Sequence, residues 1–260
     1  MAGPVASAAV ALGQVGRAGP RAVPLVLPDP LPRRVLAVPI LVYHRIAQPS
    51  PSEPALTDAL TVSPATFAAQ MRWLRHAGFH AIRQEQLFAA LERGRPLPPR
   101  PVMITFDDGY RDVLWNAAPL LSRLRMPATA YVITGRISRG DPSFLTWPEL
   151  PRLEARGVEI GSHTVDHVDL TLLTRPQALA ELERSRRALE RHLGHPVQWF
   201  SYPAGRESPR VVQLVRRAGY VLAVTTRPGE LQAASRPLTL RRLEVLDTTG
   251  VRGLAALLRS

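Results

Sequence analysis

The 260-residue chain contains no cysteine and no lysine. Without cysteine, disulfides and thiolate metal sites are excluded, and any bound metal must be held by His, Asp or Glu. The same absence is compatible with an oxidising compartment. All 33 basic residues are arginine, and the formal net charge is +12. Such an excess invites a nucleic-acid reading, because clustered cations displace counterions from phosphate. Here the arginines are scattered and no basic stripe alternates with aromatics, so no specific nucleic-acid binding is expected. With Ala and Pro abundant, arginine in place of lysine reads first as a GC-rich coding bias. Attraction to an anionic cell surface or polymer is a secondary consequence. No apolar run approaches the length that crosses a bilayer, so no transmembrane segment is expected. An internal repeat and a Gly-rich phosphate loop are also lacking.

Hydrophobic residues, at 45% of the chain, suffice for a full core, and the length suits one α/β domain. Residues 1–34 are rich in Ala, Gly, Pro and Val and carry Pro4, Pro20, Pro24, Pro28, Pro30 and Pro32. They read as a leader or linker, either a disordered tail or a signal-like segment, ahead of a catalytic domain over 35–260. Val38–Tyr43 is an apolar run that delivers His44 at its end, and 47–61 reads as an exposed loop. Ser63-Pro64 opens a helix with Phe67, Met71 and Leu74 on one face, and Gly78 ends it.

A short strand at 79–82, a helix at 84–93 and a loop at 96–101 lead to a buried strand at 102–106. Further helices are expected at 116–124, 146–156, 174–194 and 209–218. They alternate with strands at 128–133, 158–161, 197–201, 220–224 and 240–245. Six or seven strands alternating with helices imply a parallel sheet or barrel.

Three of the strand ends carry chemistry. Asp107 and Asp108 follow the run ending in Phe106, and Gly109 permits a sharp turn there. His163 and His167 follow the strand ending near Gly161; four residues apart, they converge on one ion if the segment forms a helical turn. Tyr202-Pro203-Ala204-Gly205 follows the next strand. Either element alone has a bland reading, a turn for Asp-Asp-Gly and surface residues for the histidine pair. Together they supply a two-nitrogen, one-oxygen ligand set.

Thr-Phe-Asp-Asp-Gly at 105–109, Ser-His-Thr-x-x-His at 162–167 and Phe-Ser-Tyr-Pro-Ala-Gly at 200–205, in that order, resemble the first three motifs of the polysaccharide deacetylases. These are the NodB-homology domains of carbohydrate esterase family four. Val-Pro-Ile-Leu-Val-Tyr-His-Arg-Ile at 38–46 resembles the opening of the subgroup acting on poly-β-1,6-N-acetylglucosamine. The resemblance spans about 38–246 and implies a deformed (β/α)7 barrel of the NodB-homology type.

It further implies that Asp108, His163 and His167 hold a divalent metal, usually zinc, with Co2+, Ni2+ or Mn2+ as alternatives. Asp107 is then the general base, and His44, from the N-terminal strand, the candidate general acid. The Ala204 backbone N–H takes the oxyanion role, and Tyr110 and Pro203 contact substrate. The implied substrate is a GlcNAc-containing polysaccharide: poly-β-1,6-GlcNAc first, then peptidoglycan or chitin-like oligomers. An exported or cell-surface location goes with it.

Two positions depart from the family pattern. Many members have Arg where Ser201 stands, which leaves open what orients Asp107; Arg242 is a candidate replacement. An aromatic is usual where Ala204 stands. Tyr43, Trp147 and Trp199 are read as core, and His76, His80, His192 and His195 as structural or solvated, with no acidic partner at a suggestive spacing. Two other readings stay open: a catalytically silent glycan binder, or a different metal enzyme, since two histidines and a carboxylate also suit non-heme iron.

Overall fold

The computed structural model describes residues 34–50 and 54–259, with Met1 and Gly3. The leader or linker reading of 1–34 therefore lies almost wholly outside the described residues. Seven parallel strands close a barrel in chain order: β1 (Ile40–Tyr43), β2 (Pro101–Phe106), β3 (Ala128–Val132), β4 (Val158–Ser162), β5 (Trp199–Ser201), β6 (Leu222–Pro228) and β7 (Leu240–Glu244). The ring shuts where β1 pairs with both neighbours, Leu41 opposite Leu243 on β7 and Leu41 opposite Ile104 on β2. This is the deformed (β/α)7 barrel that the motif resemblance implies.

Strand alternation sorts side chains between two environments. On β1 and β2, Leu41, Tyr43, Ile104 and Phe106 pack outward into the layer shared with helices Pro64–His76 and Ala118–Leu124. Ile40 and Met103 point the other way, meeting Tyr131, Leu222, Val224 and Leu240 inside the ring. Helix Gln84–Arg93 contributes Leu87 and Leu91 to that inner cluster. A second outer cluster joins Ala178 and Leu182 of helix Arg175–Leu193 to Val211, Leu214 and Val215 of helix Pro209–Arg217. An apolar interior gives way to polar residues at the strands' C-terminal ends.

Local signals explain most boundaries. Ser63 Oγ accepts the Thr66 N–H with Pro64 at the first helical position, and Gly194 adopts φ 76° after the longest helix. Several expectations need correction. Residues 47–61 hold helix Ala55–Ala59 and strand Thr61–Val62, the latter paired with Arg45–Ile46, so this stretch is not simply an exposed loop. The helix expected at 146–156 spans only Glu149–Glu154. Thr146 stands outside it, donating its N–H to the Glu149 carboxylate, because Pro148 occupies the cap. Helix Val251–Leu257, not foreseen, follows Gly250 and buries Leu254. The stretch before Ala118 is a wide π-turn, Val113–Ala117, rather than α-helix.

Candidate active site and metal centre

The C-terminal ends of β1, β2, β4 and β5 bring the motif residues to one mouth of the barrel. β2 delivers two adjacent carboxylates into unlike surroundings. Asp107 continues the strand's alternation, on the same inward side as Thr105, and its N–H donates to the Tyr43 carbonyl at 2.9 Å. Asp108 adopts φ 71°, a left-handed conformation that redirects the chain. Gly109 follows at φ 82°, where a Cβ would come within 2.9 Å of the Val132 side chain, so only glycine completes this turn.

Asp107 is 3% exposed and meets Arg242 in a two-pronged ion pair. One guanidinium nitrogen donates to Oδ1 at 2.8 Å and the other to Oδ2 at 2.6 Å. Arg242 is itself fixed by its Nε, which donates to the Thr225 carbonyl at 2.7 Å. Ser201 Oγ donates to Asp107 Oδ2 at 3.1 Å and accepts from Arg242 at 3.1 Å. Burial pushes the Asp107 pKa up, but the Arg242 charge and hydrogen bonds outweigh it, with His163 and His44 assisting, and hold it well below the usual carboxylate range. The carboxylate is thus kept ionised and is held by three side-chain hydrogen bonds.

On the other side of the turn, Asp108 Oδ1 lies 3.5 Å from His163 Nε2 and 3.5 Å from His167 Nε2. The three donor atoms lie within 4.8 Å of one another. His163 is 1% exposed, and its Nδ1 is 2.8 Å from the Ser201 carbonyl oxygen. A carbonyl can only accept, so Nδ1 carries the proton and Nε2 presents its lone pair toward Asp108. Burial disfavours charge on His163, but the Asp108 and Asp107 carboxylates outweigh it and raise its pKa; on His167 burial and the neighbouring His163 win and lower it.

These residues fit a divalent ion. Two ligands about 2.0–2.1 Å from a tetrahedral centre stand about 3.3–3.4 Å apart, close to the observed separations and at the outer limit of a direct hydrogen bond. The histidines do not converge through a helical turn, as their spacing suggested. Left-handed residues at Thr164 (φ 67°) and His167 (φ 56°) fold the loop instead, and Thr164 Oγ1 accepts the His167 N–H at 3.0 Å.

With the sequence motifs, the barrel and this donor set in place, comparison with known proteins is decisive. Residues 94–223 match the polysaccharide deacetylase domain. The Bacillus subtilis protein YxkH, named as a polysaccharide deacetylase, is 30% identical over 208 residues, 80% of this chain and 71% of the relative. The chain belongs to the polysaccharide deacetylase family. Members of this family are hydrolytic enzymes that act on amide bonds. The deacetylase is also 25% identical to the Staphylococcus aureus poly-β-1,6-N-acetyl-D-glucosamine N-deacetylase over 201 residues, 72% of this chain and 68% of that one. Its structure superposes on the Streptococcus pyogenes deacetylase PplD, solved in complex with acetate, with TM-score 0.80 and 29% identity, over 86% of this chain and 99% of that chain.

The remaining residues of the deacetylase's predicted site are placed as follows. His44 directly follows β1, is half-buried, and its Nδ1 is buried with no hydrogen-bond partner. It is close enough for its charge to act on Asp107, Asp108 and His167. Ala204 sits in a 3-10 turn, Pro203–Gly205, at φ 51°, and among the described residues its N–H has no hydrogen-bond partner. Pro203, expected to touch substrate, is buried in that turn. Tyr110 is half-exposed, with Phe144 stacked on it at 4.7 Å and the Arg45 guanidinium 5.1 Å from the ring centre. Phe144 gave no signal in the sequence, because only the fold brings its loop to the Asp-Asp-Gly turn. Tyr43 is core, its hydroxyl donating to Gln70 at 3.0 Å. His195, read as structural or solvated, lies at the surface with its Nε2 3.0 Å from Glu154, 41 residues earlier in the chain, and His192 stacks on Trp147 at 4.1 Å.

Proposed function

We propose that this deacetylase removes N-acetyl groups from a polymer containing N-acetylglucosamine, releasing acetate and a free amine on the sugar. The observation that carries the reading is the pairing of an ion-binding set, Asp108–His163–His167, with a separate carboxylate, Asp107, that Arg242 keeps ionised and out of that set. A divalent ion held there, zinc in our reading, supplies Lewis-acid polarisation of the acetyl carbonyl and lowers the pKa of a water molecule from about 15.7 to about 7.

Asp107 is the general base. A carboxylate gripped by arginine is a weak base in solution terms, so its contribution rests on fixed position and constant ionisation, which for such groups amounts to roughly 10²- to 10⁴-fold. As water adds to the acetyl carbon, Asp107 takes its proton and the Ala204 N–H donates to the developing oxyanion. The C–N bond then breaks, and the leaving amine takes a proton from His44. Tyr110, braced by Phe144, lies beside the sugar.

Among substrates, the similarity to the staphylococcal enzyme and the His44-bearing first strand favour a β-1,6-linked polymer over peptidoglycan or chitin-like oligomers. An exported or cell-surface location accords with such a substrate. The test is acetate release from β-1,6- and β-1,4-linked N-acetylglucosamine oligomers by zinc-loaded protein, with Asp107→Asn as control. No release from any oligomer, with wild type and variant alike, would overturn the reading, and stoichiometric iron with oxygen-dependent turnover would replace it with an oxygenase.

A further inference from the structure

His44 lies just beyond the last residue of β1, where the barrel's hydrogen bonding has ended. Its ring nitrogen Nδ1 has no partner to orient it, so its position depends on the backbone that carries it. That backbone is held on both sides by the segment 107–116, besides the pairing of Arg45–Ile46 with Thr61–Val62. Upstream, the Tyr43 carbonyl accepts the Asp107 N–H at 2.9 Å. Downstream, the Ile46 peptide is gripped at both its polar groups. Its N–H donates to Asp112 Oδ1 at 2.9 Å, and its carbonyl accepts from Asn116 Nδ2 at 2.7 Å. Arg45, between them, donates from Nε to Asp112 Oδ2 at 3.1 Å.

Asp112 immediately precedes the π-turn that follows the Asp-Asp-Gly motif and Asn116 lies within it, so one wide turn presents both side chains to Ile46. An ordinary surface loop would leave the Ile46 amide to water. Here two side chains from one turn hold it, with the Ile46 side chain fully buried beneath. Between the Tyr43 carbonyl and Ile46 lie only His44 and Arg45, and the Arg45 N–H is itself held by the Leu60 carbonyl at 3.3 Å.

We infer that Asp112 and Asn116 are positioning residues for His44, tying the proton donor to the same rigid turn that carries Asp107 and Asp108. The inference rests on the reading of His44 as the acid. It makes the spacing between acid and base a property of one segment rather than of two separately moving strand ends.

The test uses full-length zinc-loaded protein and two substrates: an N-acetylglucosamine oligomer, whose amine leaves only when protonated, and an aryl acetate, whose phenolate leaves without a proton. Asn116→Ala and Asp112→Ala should lower kcat on the oligomer on the order of 10- to 100-fold with KM and zinc content held. The loss should shrink to little on the aryl acetate. In a His44→Ala background the same substitutions should cost nothing further, because the group they position is gone. Losses that multiply with that of His44→Ala, or that are equal on both substrates, would overturn the inference while leaving the acid in place. Full oligomer activity in His44→Ala alone would instead overturn the assignment of the acid, and the inference with it. Thermal unfolding controls for folding. Should Asn116→Ala not fold, Asn116→Asp keeps the side chain's size while removing the donor, and the same outcomes apply.

Discussion

Two carboxylate–histidine clusters of this deacetylase use the same chemical groups for different ends. At the surface, Glu154 and His195 meet at 3.0 Å, a direct charge-assisted hydrogen bond between half-solvated side chains. At the barrel mouth, Asp108 stands 3.5 Å from each of two histidines, close enough to be strongly coupled yet too far for a good hydrogen bond. The first pair satisfies itself. The second brings one carboxylate oxygen and two imidazole nitrogens within 4.8 Å of one another, and its His163 is fixed from behind by the Ser201 carbonyl. Three donors drawn together with the partners held slightly apart have the spacing a divalent ion accepts, whereas the surface pair has the spacing of a hydrogen bond, and composition alone would not have told them apart.

The sharpest way to break this comparison is to remove Asp108. Asp108→Ala should abolish both turnover and stoichiometric zinc. Its neighbour Asp107→Asn should lower turnover by about 10²- to 10⁴-fold while zinc, measured by elemental analysis, stays bound. Loss of zinc in both variants would merge the two acids into one site. Next in size is the buried pair beside it. Arg242→Met leaves Asp107 buried without its counter-charge and should destabilise the fold by about 3–5 kcal/mol in urea denaturation. The double variant with Asp107→Leu should recover much of that loss.

The turn between the acids comes third. Gly109→Ala must adopt a left-handed φ and push against Val132, so it should cost about 1–3 kcal/mol and reduce zinc occupancy, since Asp108 is the preceding residue. The surface pair should give the smallest effect. The Glu154 carboxylate raises the His195 pKa, the leading cause being their hydrogen bond. A raised folded-state value means that the pair stabilises fully below the unfolded pKa, near 6.5, and that the contribution fades as pH rises through the folded value. Because both side chains are partly solvated, His195→Gln should cost no more than about 1 kcal/mol at pH 5.5 and nothing measurable at pH 9. A large or pH-independent effect would show that the surface cluster is more than an ion pair.

Much of this molecule was legible in its residues. The helices Pro64–His76 and Gln84–Arg93 follow apolar spacing and end signals that a reader can see, and the order of strands around the barrel is simply their order in the chain. Helix Val251–Leu257 escaped because it buries a single leucine and so lacks a clear periodic face. The short helix Glu149–Glu154 was drawn too long because Thr146 looked like a cap, whereas the proline at 148 took that place. The carboxylate partner of His195 lies 41 residues earlier in the chain, a separation at which spacing carries no information.

By itself the sequence determined the kinds of group available and the strand ends that carry them. Without cysteine, a metal site had to be built from His and Asp, and hydrophobic runs stopping at Asp107, His163 and the Tyr-Pro-Ala-Gly turn put those groups at one end of a parallel array. Only the tertiary structure decided what each group faces. Arg242 lies 135 residues from Asp107, and ring closure brings β7 close enough for the guanidinium to reach Asp107 beside Ser201. The unlike surroundings of the two adjacent aspartates follow from a single left-handed residue, Asp108, which turns one carboxylate toward the histidines and leaves the other inside the barrel. Side-chain identity is local, but direction and distance come from closing the sheet.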